Sequence, residues 1–320
     1  MSGRIIIGVT GSIAAFKSLE LVRMLVKNGK EIDVILTEAG ERFIPKVNFK
    51  SFTSGTVASD LWSEEVNQPI HIKLSKAASI LVVVPASADF IAKAAAGIAD
   101  NLLLSTFLAF NGPKIIAPAM NPNMYKNPIT LRNIRTLRKF GVDFIEPTTG
   151  YMADYLIGVG HLADLQDIFD YIEKYERKQV LKGKKVLITA GGTREFLDPV
   201  RFIGNPSTGT MGIELAREFW KFGAEVKLIS ANISKQIPSY IKNIEVINSE
   251  EMLKVVRKNF KASDIFVSTA AISDFTPRTP KKVKIKKSTD LKEIKLKRTI
   301  DIIKEISKHK GKKKIIGFAA

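Results

Sequence analysis

A strand followed by a glycine turn occurs in both halves of this chain, and the second occurrence constrains the fold most. Lys185 to Thr189 is a short β-branched run, typical of a buried parallel strand. Gly191 and Gly192 follow it, and residues this small let phosphate oxygens approach backbone N–H groups. A polar insert, Thr193 to Thr210, precedes a helix predicted for Met211 to Phe222. A nucleotide-binding fold is therefore expected to begin here, with the insert as a functional candidate.

The first half has the same alternation of strands and helices. Arg4 to Val9 predicts a strand, Gly11 and Ser12 form a turn, and the apolar spacing after them predicts a helix. Three further strands are predicted, at Glu31–Leu36, Ser79–Val84 and Lys114–Ala117. The pattern predicts an α/β protein with two doubly wound, Rossmann-like parallel sheets. Ile44 to Pro69 is predicted to be irregular, either a surface loop or a wall over a flat ring.

The length of 320 residues, with 45% hydrophobic residues, suffices for two cores. We predict two domains, residues 1–178 and residues 184–320, joined by a short linker. The longest apolar region, Ile80 to Phe110, is interrupted by three charged residues, so no membrane segment is predicted. The chain has no cysteine, which excludes disulfides, thiolate metal sites and a cysteine nucleophile. These features predict a cytoplasmic protein.

The formal net charge of +18 is concentrated in one tract. Lys281 to Lys314 contains fifteen Lys or Arg residues and four Asp or Glu residues. The tract lacks aromatic residues for base stacking, and its apolar residues have strand and helix spacing. A basic rim that faces a polyphosphate is favoured over nucleic-acid binding, and a merely solvated surface stays open as the third interpretation.

Three polar residues stand out before any comparison. Two prolines flank Asn121, which keeps its backbone out of a helix and puts its amide at the carboxyl end of a strand, where open α/β sheets bind ligands. An Asx turn is the alternative explanation. Thr37 can cap a helix, and at such an N-terminus its hydroxyl can also meet an anion. A single histidine such as His71 is by itself more often structural.

Several motifs, in their order, carry a resemblance to a known family. They are GVTGSIAAFK (8–17), HIKL (71–74), PASAD (85–89), PAMNPNM (118–124), TAGGTREFLDPVRFIGNPSTGTMG (189–212) and AAISDF (270–275). Together they resemble the bifunctional coenzyme A biosynthesis proteins that join phosphopantothenoylcysteine decarboxylase to phosphopantothenate–cysteine ligase. The resemblance covers essentially the whole chain.

For the first half, the resemblance implies an FMN-dependent decarboxylase of the homo-oligomeric flavin-containing cysteine decarboxylase type, trimer-based and up to a dodecamer, with flavin sites where subunits meet. It implies that His71 transfers a proton and that Asn121 binds the substrate carboxylate. The expected flavin contacts are Gly11, Ser12, Thr37, Ser87, Ser105 and Met120.

A flap, Thr149 to Leu162, is implied to close over the substrate. The family has a proton-donating cysteine there, and this chain has Asp154 at that position. A carboxyl group can donate the proton only if apolar surroundings raise its pKa by several units from about 3.9.

For the second half, the resemblance implies ligation of cysteine to phosphopantothenate through an acyl-nucleotidyl intermediate, with CTP and Mg2+. Asn205 is implied to serve the conversion of that intermediate, and Lys284 to stabilise charge at the activated carboxyl. The expected nucleotide contacts are Gly191, Gly192, Ala270, Asp274, Ile300, Asp301, Ile302, Ile303 and Phe318. No protein metal ligand is predicted, and the expected partners are the small-molecule substrates, without nucleic acid or membrane.

Two departures from the family pattern concern the second half. Thr299 and Ile300 stand where the family has an Asn-Pro or Thr-Pro pair before the aspartate. The family also continues beyond the last residue here with two further nucleotide-binding lysines, so the ligase domain is expected to be truncated. The favoured hypothesis is a bifunctional enzyme of coenzyme A synthesis. A peptide-modifying flavin decarboxylase and a flavin-binding regulatory protein without turnover are the alternatives.

Overall fold

A computed structural model describes residues 3–62, 68–151, 157–286 and 293–318. The chain divides into two compact units, residues 1–176 and residues 177–320. The elements of the first unit are β1 (Arg4–Val9), α1 (Ala15–Lys27), β2 (Ile32–Leu36), α2 (Glu38–Phe43), α3 (Lys46–Lys50), β3 (Val57–Ala58), α4 (Ile70–Ala77), β4 (Ala78–Ala86), α5 (Ala88–Ala96), α6 (Leu102–Ala109), β5 (Lys114–Pro118), α7 (Pro122–Lys126), α8 (Pro128–Lys139), β6 (Asp143–Phe144), β7 (Thr148–Tyr151), β8 (Ile157–His161) and α9 (Leu165–Glu176). Those of the second are β9 (Lys185–Gly191), β10 (Arg194–Phe196), β11 (Phe202–Gly204), α10 (Thr210–Lys221), β12 (Glu225–Ala231), β13 (Lys242–Val246), α11 (Ser249–Phe260), β14 (Ile265–Ser268), β15 (Phe275–Pro277), β16 (Leu296–Arg298), α12 (Ile302–Ser307) and β17 (Lys314–Gly317).

The first unit is built on a six-stranded sheet in the order β3-β2-β1-β4-β5-β6. Every pairing in it is parallel, as the strand and helix alternation predicted. The strand order reverses between β1 and β4, and a crevice opens at the carboxyl ends of the two strands at such a reversal. This topology fixes where a ligand site is expected.

Both faces of this sheet are covered. Ile5, Ile7 and Val9 pack with α1 and α9 in one core cluster, whereas Ile6 packs with α4, α5, α6 and α8 in another. The residues of β1 alternate between the faces because successive side chains of a strand point in opposite directions. Burying one such aliphatic side chain contributes about 1.5–3 kcal/mol, and the continuous β-branched run is explained by burial on both sides.

The second unit has a five-stranded parallel sheet in the order β13-β12-β9-β14-β17. β9 is the first strand of this sheet in the sequence, as β1 is in the other. The strand order therefore reverses between β9 and β14 just as it does between β1 and β4. Two antiparallel hairpins, β10–β11 and β15–β16, stand apart from this sheet. The predicted Rossmann-like class is therefore confirmed for both sheets.

Two segments differ from the sequence expectations. The polar insert after Gly192, for which no secondary structure was predicted, contains the β10–β11 hairpin, and Glu195 and Asp198 in it are buried. The region predicted to be irregular before Pro69 contains α3 and the short β3, which extends the sheet through Val34 and Val57. Both were missed because short, polar elements lack a clear period. No helix of the described residues is long and apolar enough to cross a membrane.

Candidate active sites

The first unit has a cavity of about 570 Å3 at the carboxyl ends of β1, β4 and β5. Five residues predicted to bind the cofactor or the substrate line it together: Gly11, Ser12, Ser87, Met120 and Asn121. Most of the remaining wall is apolar and includes Ile13, Phe16, Met124, Tyr151 and Leu162. The cavity therefore combines polar groups at strand ends with a surface that suits a flat ring.

Hydrogen bonds hold the three strand ends together beneath this cavity. The buried Thr10 hydroxyl donates to the Pro85 carbonyl at 2.8 Å and accepts from the Ser87 N–H at 2.8 Å. The Ser12 hydroxyl donates to the Ala119 carbonyl at 3.3 Å. The turns after β1, β4 and β5 consequently have fixed mutual positions before any ligand enters.

Two helices begin at this cavity. Helix α1 has no side-chain cap and no acidic residue in its first turn, and the Ser87 hydroxyl caps α5 by accepting from the Phe90 N–H at 3.3 Å. A Cβ atom on Gly11 would lie 2.6 Å from the Cβ of Ala39, so only glycine fits between the β1 turn and α2. Thr37, predicted as a flavin contact, does not line the cavity; its hydroxyl caps α2 by accepting from the Gly40 N–H at 3.1 Å, as the capping alternative predicted.

Asn121 has the extended backbone that its flanking prolines predicted, with φ −52° and ψ 142°. Its side-chain oxygen accepts a hydrogen bond from the Asn123 N–H at 2.8 Å, so the Asx turn is present as well. The β7–β8 hairpin of the predicted flap joins this loop, because the Met120 N–H donates to the Gly160 carbonyl at 3.1 Å. Asp154 lies outside the described residues.

His71 and Ser105 lie elsewhere. His71 is in α4 and does not line this cavity, and within the described part of the chain its buried Nδ1 atom has no hydrogen-bond partner. An unsatisfied buried polar atom costs about 1–3 kcal/mol. Ser105 is in α6, where its hydroxyl donates to the Ala99 carbonyl at 3.3 Å. The fold of one protomer thus separates His71 from Asn121.

Sequence reasoning missed two residues that line the cavity, Lys17 and His161. The Lys17 ammonium lies 3.5 Å from Nε2 of His161, and Nδ1 of His161 lies 3.1 Å from the Leu162 carbonyl. If Nδ1 donates to that carbonyl, Nε2 can accept from Lys17. Lys17 lies in the first turn of α1 and ends the motif GVTGSIAAFK, so that motif could have pointed to it.

The second unit has a cavity of about 550 Å3 at the carboxyl end of β14. All seven predicted nucleotide contacts outside the glycine turn line it: Ala270, Asp274, Ile300, Asp301, Ile302, Ile303 and Phe318. Three chain segments far apart in sequence meet here, and hydrogen bonds fix them. Thr299 donates its N–H to the Asp274 carbonyl at 2.9 Å, and Phe318 donates to the Ser268 carbonyl at 3.1 Å.

One cation of the basic tract takes part in this cavity. Among the described residues between 281 and 314, Arg298 is the only Lys or Arg in the cavity wall. It lies in β16 opposite Phe275 and has no carboxylate partner among the described residues. Asp301 in the same wall caps α12 by accepting from the Lys304 N–H at 2.9 Å. Of the basic rim predicted from the sequence, only the Arg298 guanidinium lies in this cavity wall among the described residues.

Asn205 and the glycine turn adjoin this cavity without lining it. The Asn205 side-chain amide donates to the carbonyl of Ile272, a lining residue, at 3.2 Å. Gly192 bridges to Ala271, and a Cβ atom on Gly192 would lie 2.5 Å from the Asn205 carbonyl oxygen. Lys284 is exposed and is not in the cavity wall. No group of three or more His, Asp or Glu residues suited to a metal ion occurs in the described ranges.

Comparisons with known proteins agree with this geometry. A family model described as "Flavoprotein" matches residues 2–176, and one described as "DNA/pantothenate metabolism flavoprotein C-terminal domain" matches residues 181–320. A PPC decarboxylase with a cysteine-to-serine mutation, complexed with pantothenoylaminoethenethiol, has 28% sequence identity and a TM-score of 0.51. The match covers 55% of this chain and 99% of that one.

Several curated relatives match nearly the whole chain, including the following two. The "Coenzyme A biosynthesis bifunctional protein CoaBC" of Bacillus subtilis is 41% identical over 321 residues, which cover 99% of this chain and 79% of that protein. The protein of the same name from Haemophilus influenzae is 38% identical over 319 residues, covering 99% of this chain and 80% of that protein. With both halves matched in this order, the chain belongs to the CoaBC family of bifunctional coenzyme A biosynthesis proteins.

Proposed function

We propose that this protein catalyses two steps of coenzyme A synthesis. The second unit ligates cysteine to 4′-phosphopantothenate, and the first decarboxylates the resulting 4′-phosphopantothenoylcysteine to 4′-phosphopantetheine. The observation that carries this proposal is the match of 41% identity over 99% of the chain to a bifunctional relative. The two cavities, each lined by family motif residues, support it.

The residues of the first cavity fit FMN. The start of α1 has no acidic residue in its first turn to repel a phosphate, Gly11 adds no side chain to its turn, and Ser12 and Ser87 add hydroxyl groups. The apolar wall suits an isoalloxazine ring. Bound FMN would supply the two-electron oxidation of the cysteinyl side chain that makes loss of CO2 possible.

His71 is the proposed proton acceptor at the cysteinyl group, and Asn121 the proposed donor to the substrate carboxylate. The two lie apart in one protomer, so the reaction requires a second copy of the chain to bring its His71 to the cavity. The exposed apolar side chains at the cavity mouth support such a homo-oligomer: Ile13 is 63% exposed and Phe16 is 53% exposed. Such an assembly would also give the unpartnered Nδ1 atom of His71 a role.

The second cavity is proposed to bind CTP. Its backbone groups and apolar residues suit a base and ribose, and Arg298 is the proposed contact to the phosphates. The absence of a carboxylate partner for this guanidinium within the described ranges supports the assignment. Mg2+ would be held mainly through the triphosphate, because Mg2+ sites in proteins use few protein carboxylates and often substrate phosphates.

Asn205 and Lys284 are proposed to act on the activated carboxyl group. The Asn205 side chain is anchored to the wall of the nucleotide cavity through Ile272, which supports a position beside the acyl-nucleotidyl bond. Lys284 provides a cation on an exposed segment that can approach the same group. The cysteine amine then attacks the acyl carbon, and the nucleoside monophosphate leaves.

The last reductive step of the decarboxylase raises a separate proposal for Asp154. The relative bound to pantothenoylaminoethenethiol has a cysteine-to-serine mutation, and this chain has no cysteine. We assign the proton donation to Asp154, which requires an apolar setting that raises its pKa. Mass spectrometry tests this: Asp154→Ala should yield a product two hydrogens lighter than phosphopantetheine. Fully reduced product from that variant would remove Asp154 from the mechanism.

The proposed function is tested by incubating the purified protein with phosphopantothenate, cysteine, CTP and Mg2+, and identifying products by mass spectrometry. We expect phosphopantothenoylcysteine first and its decarboxylated product afterwards, with FMN bound throughout. ATP in place of CTP should support slower ligation. Flavin binding without either product would reject the proposal and favour a regulatory flavoprotein.

A further inference from the structure

A buried carboxylate lies in the turn of the β10–β11 hairpin. The Asp198 side chain is 0% exposed, and its Oδ1 atom accepts hydrogen bonds from the N–H groups of Val200 and Arg201, both at 2.8 Å. These bonds form a local turn, which by itself is common for aspartate. They use one of the two carboxylate oxygens, and the second points to a distant part of the chain.

That second oxygen binds the segment that carries Lys284. Oδ2 accepts from the Ile285 N–H at 3.1 Å, across 87 residues of sequence, and the Arg201 guanidinium lies 3.4 Å away. A further bond runs beside it, from the Lys281 N–H to the Leu197 carbonyl at 2.8 Å. The segment 281–286 is thus attached to the hairpin turn at two points on either side of Lys284.

The energetics favour a persistent attachment. An ionised carboxylate out of water is costly unless its oxygens are hydrogen-bonded, and Asp198 meets that need with three backbone N–H groups. Burial alone would raise the pKa of Asp198, but the N–H groups of Val200, Ile285 and Arg201, with the Arg201 charge, outweigh it and hold the pKa below its ordinary value. The carboxylate is therefore charged near neutral pH and bonds more strongly than a neutral acceptor would.

We propose that Asp198 is a positioning residue for the ligase reaction, because it fastens the Lys284 segment to the hairpin that leads directly into Asn205. Strand β11 ends at Gly204, so one short element holds the backbones next to both proposed catalytic side chains. Asp198 itself does not line the cavity of about 550 Å3 that is proposed to bind the nucleotide. This role rests on the proposed ligase function, and the attachment itself can be measured without it.

The decisive variant is Asp198→Asn, which keeps the size of the side chain but removes its charge and turns one acceptor into an N–H2 donor. We expect amide hydrogen exchange of the peptide containing Ile285 to accelerate at least about tenfold, since its acceptor is lost. The kcat of ligation should fall about 100-fold, because small misplacements of a reacting group cost that much. The Kd for CTP, measured by calorimetry, should change less than about twofold.

Two matched controls separate positioning from general destabilisation. Asp264→Asn alters another aspartate that accepts a backbone N–H, from Lys185 at 2.8 Å, at the amino end of β9 in the five-stranded sheet, and should leave kcat unchanged. Ile285→Pro removes the long-range N–H and should reproduce the kcat loss even if the Asp198 variant does not fold. Val283→Pro, at a residue 78% exposed, controls for the proline itself.

Each outcome decides the proposal. Unchanged exchange at Ile285 in Asp198→Asn would refute the attachment, whether or not the protein ligates cysteine. Faster exchange with unchanged kcat would refute the positioning role. A parallel loss of kcat and CTP binding, or equal losses in Ile285→Pro and Val283→Pro, would reduce Asp198 to a structural residue. If the unaltered protein binds CTP but forms no product, the ligase function fails and the positioning role fails with it.

Discussion

The two units have parallel sheets that reverse their strand order at the same place, yet they assemble their sites differently. In the second unit, seven predicted nucleotide contacts line one cavity of a single chain. In the first unit, Asn121 lines the cavity but His71 lies in α4, away from it. The same topological rule therefore brings all seven of these residues to one cavity in the second unit, whereas in the first unit it leaves His71 outside the cavity that Asn121 lines.

The largest effect is expected for His71→Asn, which tests whether His71 acts in the first unit although it lies outside the cavity. Loss of a positioned proton acceptor should lower CO2 release about 1000-fold, within the range typical of general acid–base catalysis. FMN should stay bound, because His71 does not line the flavin cavity. Bound flavin is read from its visible absorbance and CO2 from a coupled assay. His309→Asn, at an exposed histidine of the second unit, is the control, and equal loss of flavin would make His71 a structural residue.

A smaller effect is expected for Arg298→Gln in the cavity of the second unit. Removing a charged hydrogen-bond donor from the nucleotide phosphates should weaken CTP binding about 10- to 100-fold, since such bonds contribute about 1.5–3 kcal/mol. Titration of the protein with CTP at two salt concentrations measures this, and the salt dependence should decrease in the variant.

Lys297→Gln is the matched control, because Lys297 precedes Arg298 but is not in the wall of this cavity. If both variants lose affinity equally, the tract acts through its overall charge and Arg298 has no special place. Cytidine without phosphates should bind the Arg298 variant as well as it binds the unaltered protein.

Substitutions of one glycine in each unit are expected to have still smaller effects, and they test whether the two sites are separate. Gly11→Ala should weaken FMN binding about tenfold, because overpacking typically costs about 1–3 kcal/mol and here displaces the β1 turn. Gly192→Ala should leave FMN binding unchanged and slow ligation, since it pushes on the Asn205 backbone. Flavin titration and ligation assays on both variants check the pair. Loss of FMN from the Gly192 variant would contradict the separate assignment of the two sites.

The smallest effect concerns pH. The pKa of Asp198 is lowered in the folded protein, so its stabilisation is present above the unfolded value of about 3.9 and is lost as pH falls through the folded value. Asp198→Asn should therefore flatten the pH dependence of unfolding below about pH 4. Denaturant titrations at several pH values measure this, and a slope identical to that of the unaltered protein would show that the carboxylate is not stabilised by folding.

Much of the fold could be predicted because buried parallel strands are continuous β-branched runs. The strand predicted at Arg4 to Val9 has those bounds in the structure, and Lys185 begins a strand as expected. The β10–β11 hairpin was not predicted, since its burial depends on polar residues such as Glu195 that bond to partners far away in sequence. Local patterns carry no information about such partners.

The site residues also divide into those that the sequence predicted and those that it could not. Strand ends converge by topology, so the joint position of Ser12, Ser87 and Asn121 followed from the predicted sheet. The selection of Arg298 from fifteen basic residues could not be predicted, because it depends on the register of β16 against β15. The separation of His71 from Asn121 was equally invisible, since it depends on the direction in which α4 faces.

The central strand pairs of the two sheets join residues at nearly the same separation in sequence, which matters for folding during synthesis. Ile5 pairs with Ile80, 75 residues later, and Val186 pairs with Ile265, 79 residues later. The loop-closure entropies are thus nearly equal, because they grow only with the logarithm of loop length. At a synthesis rate of about 5–20 residues per second, each first strand waits about 4–16 s for its neighbour. During that interval β1 can pair with β2 and β9 with β12, but the other edge of each strand stays unpaired, and an unpaired strand edge is a template for aggregation.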